Sequence, residues 1–119
     1  MRVVDDQVST PNACTNIAQV TSEIIRHTSK LHGGCRNENS ETYHLTAHGE
    51  ASRWSWARKI LELDPNRHEQ ITRELVPVPS DYFSSLAVRP RYSVLSQDKV
   101  EKDYKLDLAH WEDTLGELL

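Results

Sequence analysis

A stripe of apolar side chains at helical spacing constrains this chain more than any other feature of its sequence. Its members are Ala13, Ile17, Val20, Ile24 and Leu31. Residues 9–12, Ser-Thr-Pro-Asn, supply turn and capping chemistry just before the stripe. The spacing predicts an amphipathic helix over residues 12–30 that covers an apolar surface, and Gly33-Gly34 is expected to end it.

Three short segments have strand-like patterns, at residues 1–6, 42–46 and 71–78. A proline has no amide hydrogen to give to a sheet. Pro77 and Pro79 therefore place the end of the third strand at a sheet edge or outside the ladder. Short strands separated by helical patterns predict an α/β fold.

Three further helices are expected. Ser52 can cap a helix that Asp64-Pro65 stops. A short helix begins near Ser96, and another runs from Asp107, where apolar residues again recur at helical spacing. The prediction is thus short strands with about four helices in all.

Composition limits the size of the core. The chain has 119 residues, of which 37% are hydrophobic, a low share for a compact unit. It is expected to be marginally stable or to associate with itself. Two cysteines, Cys14 and Cys35, do not make a disulfide framework and are expected to stay as thiols, with Cys14 packed against the first helix.

Charge and hydropathy exclude two classes of partner. The net charge is −4, whereas a nucleic-acid-binding surface is basic. No apolar run approaches the roughly 20 residues of a membrane-spanning helix, and Asp5 and Asp6 rule out a signal-peptide core at the start. The expectation is a cytoplasmic protein without nucleic-acid or membrane partners.

Histidines and cysteines do not predict a metal site. His27, His32 and Cys35 lie close together in sequence, but they lack the paired ligand spacing of a structural zinc site. No His-Glu-x-x-His motif occurs either. Surface histidines are the better interpretation.

The C-terminal third contains a specific motif. Residues 89–99 read R-P-x-x-S-x-L-x-x-x-K, and a short amphipathic segment with Leu108 and Trp111 follows. This combination resembles the C-terminal substrate-binding region of dTDP-4-dehydrorhamnose reductases, which are extended short-chain dehydrogenase/reductases. Further blocks resemble that family in the same order, at residues 3–12, 43–45, 49–52 and 76–80.

The resemblance implies a division of the chain and an activity. Residues 1–119 would be a single fragment, made of the substrate-binding lobe plus the last strand and helices of the nucleotide-binding domain, with the nucleotide-binding half missing. The full-length family protein reduces the 4-keto group of a dTDP-6-deoxy sugar in dTDP-L-rhamnose biosynthesis, with NADPH or NADH as cofactor. The implied partners are a dTDP-sugar nucleotide and the missing N-terminal half. A second copy of the chain is a further candidate partner, because the sheet of the parent fold would be interrupted.

Neither cofactor-binding nor catalytic residues are predicted in this chain. The glycines are Gly33, Gly34, Gly49 and Gly116, and none of their spacings fits the phosphate loop that holds a dinucleotide. A short-chain reductase also needs a Tyr-x-x-x-Lys pair to protonate the carbonyl. None of the four tyrosines has a lysine four residues later.

Two residues are predicted to bind substrate, Arg89 and Gln7. In related sugar-nucleotide enzymes an arginine at the place of Arg89 contacts the diphosphate, and a guanidinium fork matches two phosphate oxygens. The alternative is that Arg89 pairs with a carboxylate or is solvated. Asp6 and Gln7 are expected either to hydrogen-bond substrate or to order the loop before Pro11, while Arg91 is expected to be a surface charge.

Two neighbouring positions are assigned structural roles. Lys99 is expected to fix the segment that follows the Arg-Pro motif. Trp111 is expected to be core and not a ligand platform.

Two alternatives to a reductase fragment stay open. One is a non-catalytic regulatory module, because the regulatory β subunit of methionine adenosyltransferase has the same overall fold. The other is a truncated remnant with no function of its own. An upstream glycine-rich loop with a Tyr-x-x-x-Lys pair would favour the reductase, and such a loop without the pair would favour a regulatory subunit.

Overall fold

The computed structural model describes residues 1–32 and 41–119. It contains four α-helices: α1 (Cys14–His32), α2 (Arg53–Leu63), α3 (Asp98–Tyr104) and α4 (Trp111–Gly116). Its strands are β1 (Arg2–Val4), β2 (Val8–Ser9), β3 (Ala51–Ser52) and β4 (Val76–Val78). β1 pairs with β4 in parallel, and β2 pairs with β3 in antiparallel orientation. The predicted α/β fold of short strands and about four helices is confirmed.

Helix α1 begins two residues later than predicted and covers an apolar cluster with its stripe. Val20 is buried there against Val100 of α3 and Leu108, and Ile24 packs at the edge. Burial of these side chains stabilises α1, since most helical stability in proteins comes from packing of an amphipathic face. The predicted stop at Gly33-Gly34 lies outside the described residues.

The predicted strand at residues 42–46 is wrong. A strand needs a neighbour for its backbone groups, and among the described residues no strand runs beside this segment. Asn12 holds its end instead: the Asn12 Oδ1 accepts hydrogen bonds from the Ala47 amide at 2.7 Å and from the Thr46 hydroxyl at 3.2 Å. Only the following residue, His48, forms a bridge, with His110.

The Lys99 side chain contacts residues 41–43 and not the segment after the Arg-Pro motif, which it was predicted to fix. Its ammonium lies 2.7 Å from the Glu41 carboxylate and 4.6 Å from the centre of the Tyr43 ring. It further donates to the Thr42 carbonyl at 3.3 Å. Lys99 therefore fixes the start of the 41–47 segment on α3.

The predicted strand at residues 71–78 is shorter than expected. Only β4 pairs with β1, because β1 offers just three residues as partners, from Arg2 opposite Val76 to Val4 opposite Val78. Ile71 is 94% exposed. Pro77 is accommodated because β4 lies at the edge of a two-stranded sheet.

Helix α4 begins at Trp111 and not at Asp107. The His110 side chain caps it by accepting a hydrogen bond from the Glu112 amide at 3.3 Å. Trp111 is 5% exposed and packs with Ala47 and Ala51 in a second apolar cluster, so its predicted core position is confirmed.

Helix α2 follows the sequence-based expectation. The Ser52 hydroxyl caps it by accepting a hydrogen bond from the Ser55 amide, and the helix ends at Leu63, with Asp64 as its C-terminal cap. Cys14 departs from expectation: it lies exposed in the first turn of α1, because the packed face of that helix begins at Ala13 and continues at Val20.

The apolar core is small and much of the chain lies at the surface. The radius of gyration is 18.0 Å, whereas a compact chain of this length has about 13.5 Å. Residues 81–93 are all exposed, and Leu86 and Val88 are fully so. Among the described residues, no helix has both the length and the apolar character needed to cross a bilayer.

Candidate functional site

The candidate site is built around the backbone of Val8. On one side Val8 pairs with Ser52 of β3 in antiparallel orientation. On the other side it forms a parallel bridge with Tyr92, in which the Val8 amide donates to the Arg91 carbonyl at 2.8 Å and the Ser93 amide donates to the Val8 carbonyl at 2.9 Å. Three distant segments of the chain thus meet at one residue.

The register of these pairings decides which side chains share an edge. Gln7 precedes Val8, Arg53 follows Ser52 in the antiparallel partner, and Arg91 precedes Tyr92 in the parallel one. Gln7, Arg53 and Arg91 therefore lie side by side, each one residue beyond a residue that pairs at Val8, at the end where β2 begins. The Arg-Pro motif approaches this end directly, since Arg89 is two residues before Arg91.

Gln7 is positioned by a hydrogen-bonded group at this end. Its side-chain amide donates to the Ser80 hydroxyl at 2.8 Å. The same hydroxyl and the Ser80 amide, at 2.9 Å, donate to one carboxylate oxygen of Asp6. The hydrogen bonds from Ser80 lower the pKa of Asp6, so this carboxylate is ionised near neutral pH.

Two adjacent cavities open beside Gln7. The larger has a volume of about 430 Å³ and a mixed lining, with apolar Phe83 and Val88 beside polar Ser80 and Asp81. The smaller has a volume of about 180 Å³. Three residues line both cavities, and they are Gln7, Arg53 and Arg89. The two residues predicted to bind substrate therefore lie in one cleft.

The cleft is cationic. Arg53, Arg89 and Arg91 all line the larger cavity. Among the residues that the structure describes, no carboxylate lies within 4.0 Å of any of these three guanidinium groups. Within the described part of the chain, Arg89 therefore forms no ion pair, and it is either solvated or available to an anionic ligand.

Arg53 was not predicted from the sequence. It is the first residue of α2, directly after the cap Ser52, and nothing in its local sequence distinguishes it from other surface arginines. The signal lies in the pairing of Val8 with Ser52, which only the fold reveals.

Among the described residues, no group of three or more His, Cys, Asp or Glu side chains is arranged to hold a metal ion. Of the histidine and cysteine group considered above, Cys35 and the side chain of His32 lie outside the described part.

A family model described as the RmlD substrate binding domain matches residues 1–119. The dTDP-4-keto-6-deoxy-D-glucose reductase of Streptomyces niveus is 32% identical over 116 residues, which cover 95% of this chain and 34% of that relative.

Solved structures agree with this match. The dTDP-4-dehydrorhamnose reductase of Clostridium acetobutylicum is 28% identical with a TM-score of 0.78. The Bacillus anthracis enzyme, in complex with NADP, is 23% identical with a TM-score of 0.76 and shows likeness of fold. Each comparison covers 98% of this chain and 36% of the solved one, so the chain spans about a third of the length of its relatives. It belongs to the RmlD substrate binding domain family.

Proposed function

We propose that this chain is the substrate-binding part of a dTDP-4-dehydrorhamnose reductase-like protein and that the cleft beside Gln7 holds a dTDP-sugar. One observation carries the proposal: Gln7 and Arg89, which are far apart in sequence, line the same two cavities. The names of the relatives support the substrate class, because each is a reductase of a dTDP-linked keto sugar.

The chemistry of the cleft suits such a ligand. A diphosphate carries negative charge on several oxygens, and the planar guanidinium of Arg89 can donate two parallel hydrogen bonds to them. The larger cavity offers apolar surface at Phe83 and Val88 and hydrogen-bonding groups at Gln7 and Ser80. A nucleoside or a deoxy sugar presents the same mixture of apolar faces and polar edges.

The reduction itself would need groups from outside these residues. In the proposed full-length protein, an N-terminal nucleotide-binding half supplies the cofactor site and the proton donor. NADP in the Bacillus anthracis structure supports NADPH as the reductant. We further propose that β1, β4 and helices α3 and α4 belong to the substrate lobe, and that the Tyr43 segment adjoins the nucleotide-binding domain. This chain then contributes binding and orientation.

The first test concerns Arg89. We expect Arg89→Ala to weaken dTDP-rhamnose binding by on the order of 1.5–3 kcal/mol, the range for hydrogen bonds to charged groups. Arg91→Ala is the matched control and should lose much less, since Arg91 lines only the larger cavity. The measurement is calorimetric titration of the 119-residue chain, with circular dichroism to verify that both variants keep the wild-type fold. Equal affinity of wild type and Arg89→Ala would return Arg89 to a solvated surface position.

The second test concerns activity. We expect the 119-residue chain to oxidise no NADPH in the presence of dTDP-4-dehydro-6-deoxy-L-mannose, because its sequence has neither a glycine-rich phosphate loop nor a Tyr-x-x-x-Lys pair. The assay follows NADPH absorbance against a blank without protein, and a full-length reductase of the family serves as positive control. Turnover above the blank would contradict the assignment of the chain as a binding part.

A further inference from the structure

Arg53 occupies a position in the cleft that the Arg-Pro motif does not account for. It begins α2, and the pairing of Ser52 with Val8 places it at the same end of β2 as Gln7. It lines both cavities together with Arg89. The two guanidinium groups come from segments on opposite sides of β2, since β3 flanks it on one side and residues 91–93 flank it on the other.

The smaller cavity favours an anion most strongly. Its remaining lining is Val8, Ser9, Pro90 and Ser93, so two arginines and no acidic residue line it. The larger cavity, by contrast, includes Asp81. Two like charges that share a small volume destabilise each other, and a multiply charged anion between them removes that repulsion.

Arg58, a second arginine of α2, has partners within the chain. Arg58 pairs with Glu62 at 3.2 Å, and its guanidinium lies 5.0 Å from the centre of the Trp54 ring. Arg53 has no such carboxylate among the described residues. Contacts within the chain thus account for Arg58, whereas no ion pair among the described residues accounts for Arg53.

We propose that Arg53 and Arg89 hold a diphosphate between them in the smaller cavity, with Arg53 as a second binding residue from the opposite wall. This inference rests on the proposed function and names the two-sided site at which the nucleotide diphosphate binds. The larger cavity then takes an uncharged part of the ligand. Arginine suits this duty better than lysine, because its planar fork can donate two hydrogen bonds to one phosphate while an ammonium acts as a point charge.

The test titrates the 119-residue chain with inorganic pyrophosphate and, separately, with dTDP at low ionic strength. We expect Arg53→Ala to weaken both ligands by about tenfold, the effect of losing one hydrogen-bonded charge at an exposed site. Arg58→Ala is the matched control on the same helix and should stay within about twofold of wild type. Arg53→Lys keeps the charge without the fork and should fall between wild type and Arg53→Ala.

The outcomes separate this inference from the proposed function. If wild type and Arg53→Ala bind pyrophosphate and dTDP equally, Arg53 is not part of the site, whereas the dTDP-sugar proposal stands. If wild type binds dTDP but not pyrophosphate, the two-sided site is overturned and the nucleoside carries the affinity. If neither ligand binds, both proposals fail. If Arg53→Ala loses the wild-type circular dichroism spectrum, only the Arg53→Lys variant tests the inference. Wild-type affinity of Arg53→Lys for pyrophosphate and dTDP would then show that no guanidinium is needed at this position.

Discussion

Replacement of Trp111 with alanine is expected to lower the free energy of unfolding by about 3–5 kcal/mol, the usual cost of removing a buried tryptophan. Trp111 is 5% exposed and is the largest of the described residues in the cluster that also contains Ala47 and Ala51, with Leu115 packed against it. Those alanines cannot collapse into the space it leaves. Because a domain of this length has a total stability of only about 5–15 kcal/mol, this loss is a large fraction of the whole.

The measurement is urea unfolding followed by far-ultraviolet circular dichroism, which does not depend on the lost indole. Trp56→Ala is the matched control, since Trp56 is 42% exposed and its loss should cost less than half as much. A Trp111→Ala variant with the unfolding midpoint of wild type would contradict the assignment of Trp111 as the centre of this cluster.

Replacement of Gly49 with alanine is expected to lower the free energy of unfolding by about 2–4 kcal/mol. Gly49 has a φ of +84°, a conformation that costs an L-residue about 1–2 kcal/mol. A Cβ atom there would clash with Nε2 of the His110 ring. Moving this ring would disturb the cap of α4, whose loss costs about 1 kcal/mol more.

Gly116→Ala is the control for Gly49→Ala. A Cβ at Gly116 meets nothing within 4 Å, and this residue ends α4, so alanine should leave stability unchanged or raise it slightly. Introducing Gly49→Ala into a His110→Ala background should recover the steric part of the loss and leave the backbone part. An equal loss in both backgrounds would mean that His110 does not limit the space at Gly49.

Local sequence patterns predicted the helices well and the strands poorly. The stripe that includes Ala13 and Val20, and the cap at Ser52, are properties of neighbouring residues, so α1 and α2 could be located within about two residues. A strand also depends on a partner elsewhere in the chain. Residues 42–46 alternate like a strand but have no partner in the described part, and residues 71–78 pair only where β1 is opposite.

The sequence predicted only some of the residues that line the candidate cleft, because the others are brought there by strand pairing. Arg89 and Gln7 could be proposed because they belong to motifs that resemble a known family. The inclusion of Arg53 follows from the register of Val8 with Ser52, which no local pattern encodes. Asp6 and Gln7 were predicted either to bind substrate or to order the loop before Pro11. In the structure Gln7 donates a hydrogen bond to Ser80 and lines the cleft, and its contact with substrate stays a prediction.

The meeting of three segments at Val8 has a consequence for how the protein folds and persists. The hydrogen bond from Gln7 to Ser80 spans 73 residues of chain, and that from Ser93 to Val8 spans 85. Contacts of such sequence separation are slow to form, so we expect the cleft to be completed late in folding. A ligand that requires the completed cleft would stabilise the native state by mass action, by about 2.7 kcal/mol at a hundred times its dissociation constant. For a chain with so small a core, a ligand that fills the cleft would then also slow proteolysis.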